Sequence, residues 1–146
     1  MTALTFTIPG APRGKGRPRF GGGRTFTDAK TVAYESLIKH AAHVAMAGRE
    51  RFAGPVEVSI IVRLEPAAST PKAARAAMLA GQIHPVKRPD LDNIIKAVLD
   101  GCNTVAFADD AQVCWINAGK TYASTAGVDV TIRPDTARQS NQGIAA

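Results

Sequence analysis

The chain has 146 residues, enough for one domain of ordinary size with a real core. Its hydrophobic fraction of 45% is that of a globular protein, and no apolar run is long enough to span a membrane. A formal net charge of +6 points to a polyanionic partner.

From the N-terminus, Leu4-Thr5-Phe6-Thr7-Ile8 alternates and predicts a strand stopped by Pro9-Gly10. Arg13, Lys15, Arg17, Arg19 and Arg24 follow, interleaved with Gly and Pro. They read as a mobile cationic loop that binds backbone phosphates, with a short hairpin around Gly21-Gly22-Gly23. The plainer alternative is a solvated flexible loop. Thr27 is the expected N-cap of a helix from Asp28 to Ala47, ended by Gly48. Val56 to Leu64 is rich in β-branched residues and predicts a second strand. Thr70-Pro71 opens a short Ala-rich helix running to Ala80, ended by Gly81. Strands are expected at Gln112–Tyr122 and Val128–Ile132, with a turn near Gly127 and a polar tail from Pro134. This order predicts an α+β fold, a mixed sheet of about four strands covered by helices, with residues 1–133 as one domain and 134–146 as a flexible tail.

Two cysteines, Cys102 and Cys114, form no Cys-x-x-Cys pattern, and both are expected to pack as small apolar groups. No charged segment followed by an apolar run opens the chain, so a cytoplasmic location is expected. His40 and His43 share a helical face at i, i+3 without any supporting acidic ligand, which reads as an exposed face. His84 reads as a loop residue that could edge the site, and Trp115 and Tyr122 as core or interface residues.

The chemistry concentrates in Lys87-Arg88-Pro89-Asp90-Leu91-Asp92-Asn93-Ile94-Ile95-Lys96, followed by Asp109-Asp110. A basic protein attracts phosphate, whereas clustered carboxylates repel it unless a divalent cation lies between them. Metal-assisted phosphodiester cleavage is the common resolution of that conflict. Leu91, Ile94, Ile95, Val98 and Leu99 make the apolar stripe of an amphipathic helix, entered at Pro89 and left at Gly101. Asp90 suits its N-cap, while Asp92, Lys96 and Asp100 lie four apart on the opposite face. Taken singly, Asp90 is only a cap, Asp92 with Lys96 an exposed ion pair, and one of Asp109-Asp110 a turn former. Their combination at fixed spacing is what points to a site.

The run Arg-Pro-Asp-Leu-Asp-Asn-Ile-Ile-Lys-Ala-Val-Leu-Asp-Gly, then Asp-Asp-Ala-Gln-Val, resembles the RusA family of Holliday junction resolvases, found in bacteria and prophages. The resemblance implies that Asp90, Asp92 and Asp110 bind Mg²⁺, with Mn²⁺ able to substitute, and that Lys96 is the catalytic lysine. It also implies paired cuts across a four-way DNA junction, in recombination or repair. Two symmetric cuts favour a homodimer. Two other functions stay open: a DNA-binding module without catalysis, and a less selective nuclease acting on flaps or other branched DNA.

Overall fold

The computed structural model describes residues 2–15, 19–26 and 28–136, with backbone alone for Arg19 and for Arg24, Thr25 and Phe26. The proposed Thr27 cap and most of the tail lie outside the described residues. The elements in order are β1 (Leu4–Pro9), β2 (Arg19–Gly21), β3 (Arg24–Phe26), α1 (Ala29–Met46), β4 (Val56–Leu64), α2 (Lys72–Leu79), α3 (Leu91–Cys102), a 3-10 turn (Asp110–Gln112), β5 (Val113–Tyr122) and β6 (Gly127–Pro134). Among them no helix is long and apolar enough to cross a membrane.

The fold is α+β, built on a mixed four-stranded sheet in the order β1-β6-β4-β5. β6 runs antiparallel to both β1 and β4, while β4 and β5 are parallel. A parallel pair needs a crossover, and α2 and α3 lie within it. β2 and β3 form a separate hairpin around Gly22 and Gly23, both at positive φ.

Alternation along β1 and β4 sends one set of side chains into the core and leaves the other outside. Val58, Ile60, Val130 and Ile132 from the sheet are fully buried, as are Ile38 of α1 and Ile94 and Val98 of α3. Each such side chain contributes roughly 1.5–3 kcal/mol by leaving water. The helices therefore cover one face. On the other, Arg63 donates to both Asp129 oxygens at 2.9 and 3.1 Å, and Thr7 donates to the same carboxylate at 2.8 Å.

Expectations about α3 and β5 are revised. Gly101 does not end the helix, which continues to Cys102. It is buried instead where α1 crosses α3, and a Cβ there would meet Ile38 Cγ2 at 2.4 Å. The glycine allows the close crossing of the two backbones. The thiols also diverge: Cys102 is buried, which pushes its pKa up to about 12, whereas Cys114 is exposed at the sheet edge. Trp115 is 48% exposed, so it is not a core residue.

Candidate active site along helix α3

The predicted stripe forms as expected. Ile94, Ala97 and Val98 are buried, and Leu91, Ile95 and Leu99 pack against the same core. This fixes the helix's rotation and leaves Asp92 and Lys96 exposed on the outer face. Asp90 occupies the N-cap position with extended backbone, yet its side chain makes no capping hydrogen bond. Its exposed carboxylate is not engaged in holding the helix. Among the described residues, Asp92 Oδ1 accepts only from the neighbouring Asn93 N–H, at 3.0 Å. Lys120 of β5 ties down the turn before Asp90, donating to the Lys87 and Pro89 carbonyls at 2.9 and 3.1 Å.

The helix's outer-face charges pair differently from the expected Asp92–Lys96 contact, since among the described residues Lys96 makes no such ion pair. Lys15 donates instead to Asp100 Oδ2 at 2.6 Å and lies 3.5 Å from Glu35 Oε1. The hydrogen bond to Asp100 holds the Lys15 pKa above that of an ordinary lysine, against the opposing effect of desolvation. The segment before it docks tightly on α3. Lys15 N–H donates to the Asn93 carbonyl at 3.1 Å, and a Cβ on Gly14 would come within 2.6 Å of Asn93 Cβ. Residues 12–15 are thus an anchored wall, not the mobile loop that their composition suggests.

At the other end of α3, the two adjacent aspartates part in role. Asp109 accepts from Ala111 N–H at 3.1 Å and caps the 3-10 turn in a capping box with Gln112. Gln112 secures the turn further by donating to Phe52 and Gly54 carbonyls, each at 2.9 Å. Asp110 is placed by its own N–H, which donates to Asn103 Oδ1 at 3.1 Å. A hydrogen bond with Asp109 raises the Asp110 pKa above the usual carboxylate range, with burial and repulsion from Asp109 and Asp100 adding to it. Bonds from the Ala111 backbone and from Asp110 lower that of Asp109.

The expected three-carboxylate set is therefore divided. Asp90 and Asp92 stand at the N-terminal mouth of α3, and Asp110 is anchored beside Asn103, just past its C-terminal end. A helix of 12 residues is about 18 Å long. Among the described residues no group of three or more His, Cys, Asp or Glu side chains could hold a metal ion. The chemistry of the donors suits Mg²⁺, which takes one or two carboxylates beside waters and phosphate oxygens. Asp90 and Asp92 fit that requirement, but Asp110 of the same chain does not join them.

A cleft of about 810 Å³ opens beside Asp90, lined by Pro12, Arg13, Gly14, Lys15, Arg88, Pro89 and Asn93 as well. Lys15 is neutralised by its two carboxylates. Arg13 and Arg88 make no ion pair among the described residues, so their charge faces the cleft uncompensated. Arg88 went unremarked in the sequence as a binding residue, although its place two residues before Asp90 was the available signal. Arg17 lies outside the described residues, and Arg19 and Arg24 are placed on the β2–β3 hairpin by backbone only. His40, His43 and His84 are exposed.

Comparison with known proteins matches residues 9–133 to the family described as endodeoxyribonuclease RusA. The uncharacterized protein YqaN of Bacillus subtilis (strain 168) is similar at 30% identity over 138 residues, covering 91% of this chain and 97% of YqaN.

Proposed function

The chain belongs to the RusA endodeoxyribonuclease family, and we propose that it resolves four-way DNA junctions by hydrolysing one phosphodiester on each of two opposed strands. The observation that carries this reading is the cleft in which uncompensated Arg13 and Arg88 stand beside the uncapped Asp90 carboxylate. Cations without partners recruit a phosphate, and a carboxylate not used for capping is available for chemistry on it. Arg13 and Arg88 hold the backbone of the strand to be cut, and Arg17, Arg19 and Arg24 add positive charge for further phosphates. Lys96, one helical turn beyond Asp92, supplies positive charge to the phosphorane-like transition state. Mg²⁺, or Mn²⁺ in its place, would sit on Asp90 and Asp92, where it supplies Lewis acidity and a water of lowered pKa. The enzyme acts as a homodimer, because junction resolution takes two symmetric cuts.

Binding and cleavage measured on the same four-way junction test the reading. Asp90→Asn and Asp92→Asn should abolish cleavage while binding is kept or improved, since each removes a negative charge near phosphate. Asp110→Asn should also abolish cleavage. Asp109→Asn should only reduce it, through a loosened turn. If all four variants cut at the wild-type rate, the acidic groups are structural and cleavage rests on other residues; if the wild type binds the junction without cutting it, the protein is a DNA-binding module.

A further inference from the structure

We propose that a further pocket, which shares Arg88 with the cleft beside Asp90, receives one base unstacked from the bound junction, and that Glu65 selects which base enters. This rests on the junction-nuclease reading above and uses residues to which that reading gives no part.

The pocket lies where the parallel pair of strands ends. Leu64 and Tyr122 are the last residues of β4 and β5 and are register partners. Alternation from Val58, Ile60 and Val62 turns Leu64 toward the helix-covered side, and its partner Tyr122 goes with it. The chain leaves β4 here and returns through the turn before α3, so Met78 of α2 and Pro85 supply further walls. Crevices at the carboxyl ends of parallel strands are common ligand sites. The volume is about 250 Å³, just below the roughly 300–1,000 Å³ of pockets for drug-sized molecules. A flat ring system of one base suits that space. Hydrogen bonds set the walls in advance. Ala123 N–H donates to the Leu64 carbonyl at 2.9 Å, Arg75 to the Ala67 carbonyl at 2.9 Å, and Lys120 to the Lys87 carbonyl at 2.9 Å.

Position, lining and polarity each point to a base. Arg88 lines both spaces, so whatever enters this one lies a side chain's breadth from the phosphate that Arg88 holds. Within a nucleotide, base and phosphate are separated by about one sugar. Tyr122, Met78, Leu64 and Pro85 offer the aromatic and apolar surfaces between which extruded bases stack. Glu65 adds an acceptor, and Ala126 N–H, donating to its Oε1 at 3.3 Å, helps to hold it. A carboxylate accepts from the exocyclic amino groups of cytosine, adenine or guanine, whereas it repels the two carbonyl oxygens of thymine. Where strands exchange, stacking is interrupted, so a base leaves more cheaply than from within a duplex.

2-Aminopurine, a fluorescent base with an exocyclic amino group, brightens when it unstacks. It is placed in turn at each branch-point position of a junction, and the complex is formed without Mg²⁺ so that the DNA stays whole. With the wild type, one position should brighten. Ala67 lines the pocket and is exposed, so Ala67→Trp fills the space from its rim without disturbing the core. That variant should abolish the brightening while junction affinity and thermal unfolding hardly change. With Mg²⁺, the wild type should cut a junction with an amino-bearing base at that position roughly tenfold faster, in kcat/KM, than one with thymine. Glu65→Gln, whose amide also donates to carbonyls, should bring this ratio close to unity. Ala67→Trp should slow cutting of every junction through kcat. The pocket is overturned if no position brightens or if Ala67→Trp keeps the signal, and a ratio that survives Glu65→Gln overturns the role of Glu65. Absence of any cleavage by the wild type would remove the nuclease reading instead, while the fluorescence would still judge whether a base enters.

Discussion

Lys120 Nζ donates to the Pro89 carbonyl oxygen at 3.1 Å, so the edge strand β5 holds the turn from which Asp90 projects. The lysine faces the helix-covered side of the sheet and touches no reacting group. Groups that orient ligands from behind commonly matter by 10–100-fold when lost. Lys120→Met should therefore lower junction cleavage by about tenfold and weaken Mn²⁺ binding by a similar factor. Thermal unfolding should hardly change. A wild-type rate would show that the turn holds its shape without the lysine.

The cleft's three cations should separate by salt dependence. Arg88→Ala and Arg13→Ala should each reduce the slope of log affinity against log salt by about one unit, equally across junction sequences. Lys15→Met should leave the slope nearly unchanged, because its charge is spent on Asp100 and Glu35. Its effect should appear as lost stability of about 1 kcal/mol, measured by urea unfolding. A full unit of slope lost with Lys15→Met would return that residue to the phosphate contacts.

Gly101→Ala should destabilise the protein by about 1–3 kcal/mol, since overpacking at a tight helix crossing forces both backbones apart. The added methyl would press on Ile38, whose Cγ2 and Cβ would lie 2.4 and 2.7 Å away. Ile38→Ala in the same chain should make the double variant less destabilised than the sum of the two single effects. Strict additivity in denaturant midpoints would contradict the crossing geometry.

On the open sheet face, burial tends to raise the Asp129 pKa, but bonds from Arg63 and Thr7 outweigh it and lower the value below 3.8. A carboxylate with a depressed folded pKa adds stability above the unfolded value, which is lost as pH falls through the folded one. Asp129→Asn should cost about 0.5–1 kcal/mol at neutral pH, as a half-exposed pair does. The difference from wild type should shrink as the pH drops below about 3.8. An unchanged difference at acid pH would mean that packing, not charge, explains the loss.

Much of this molecule is legible in its sequence because its patterns are local. The strand at Val56–Leu64, the amphipathic stripe of α3 and the short Ala-rich helix follow from periodicity and flanking Gly or Pro. Spacing singles out the acidic pairs with Lys96 as a combination, and the resemblance to the RusA family is what names Asp90, Asp92, Lys96 and Asp110 as the candidates. What spacing cannot carry is direction in space. Asp109 and Asp110 are adjacent in the chain, and only their partners in the fold, Ala111 N–H donating to the Asp109 carboxylate and the Asp110 N–H donating to Asn103, tell the cap from its neighbour. Lys15 belongs to a basic run, but a carboxylate 85 residues away takes its charge. Gly101 resembles a helix stop until Ile38 of another helix is found against it. Cys114 alternates as a buried strand residue would, yet β5 is an edge, and edge position depends on the order of all four strands.

Cleavage of a substrate panel tests the central claim most directly. Wild type and Asp90→Asn should be compared on a four-way junction, a flap and a linear duplex, each with and without Mg²⁺, at one protein concentration. The account predicts paired, symmetric cuts in the junction by the wild type with Mg²⁺ only, little cutting of flap or duplex, and binding without cleavage by Asp90→Asn. Equal cutting of all three substrates, or junction cleavage by Asp90→Asn at the wild-type rate, would contradict it.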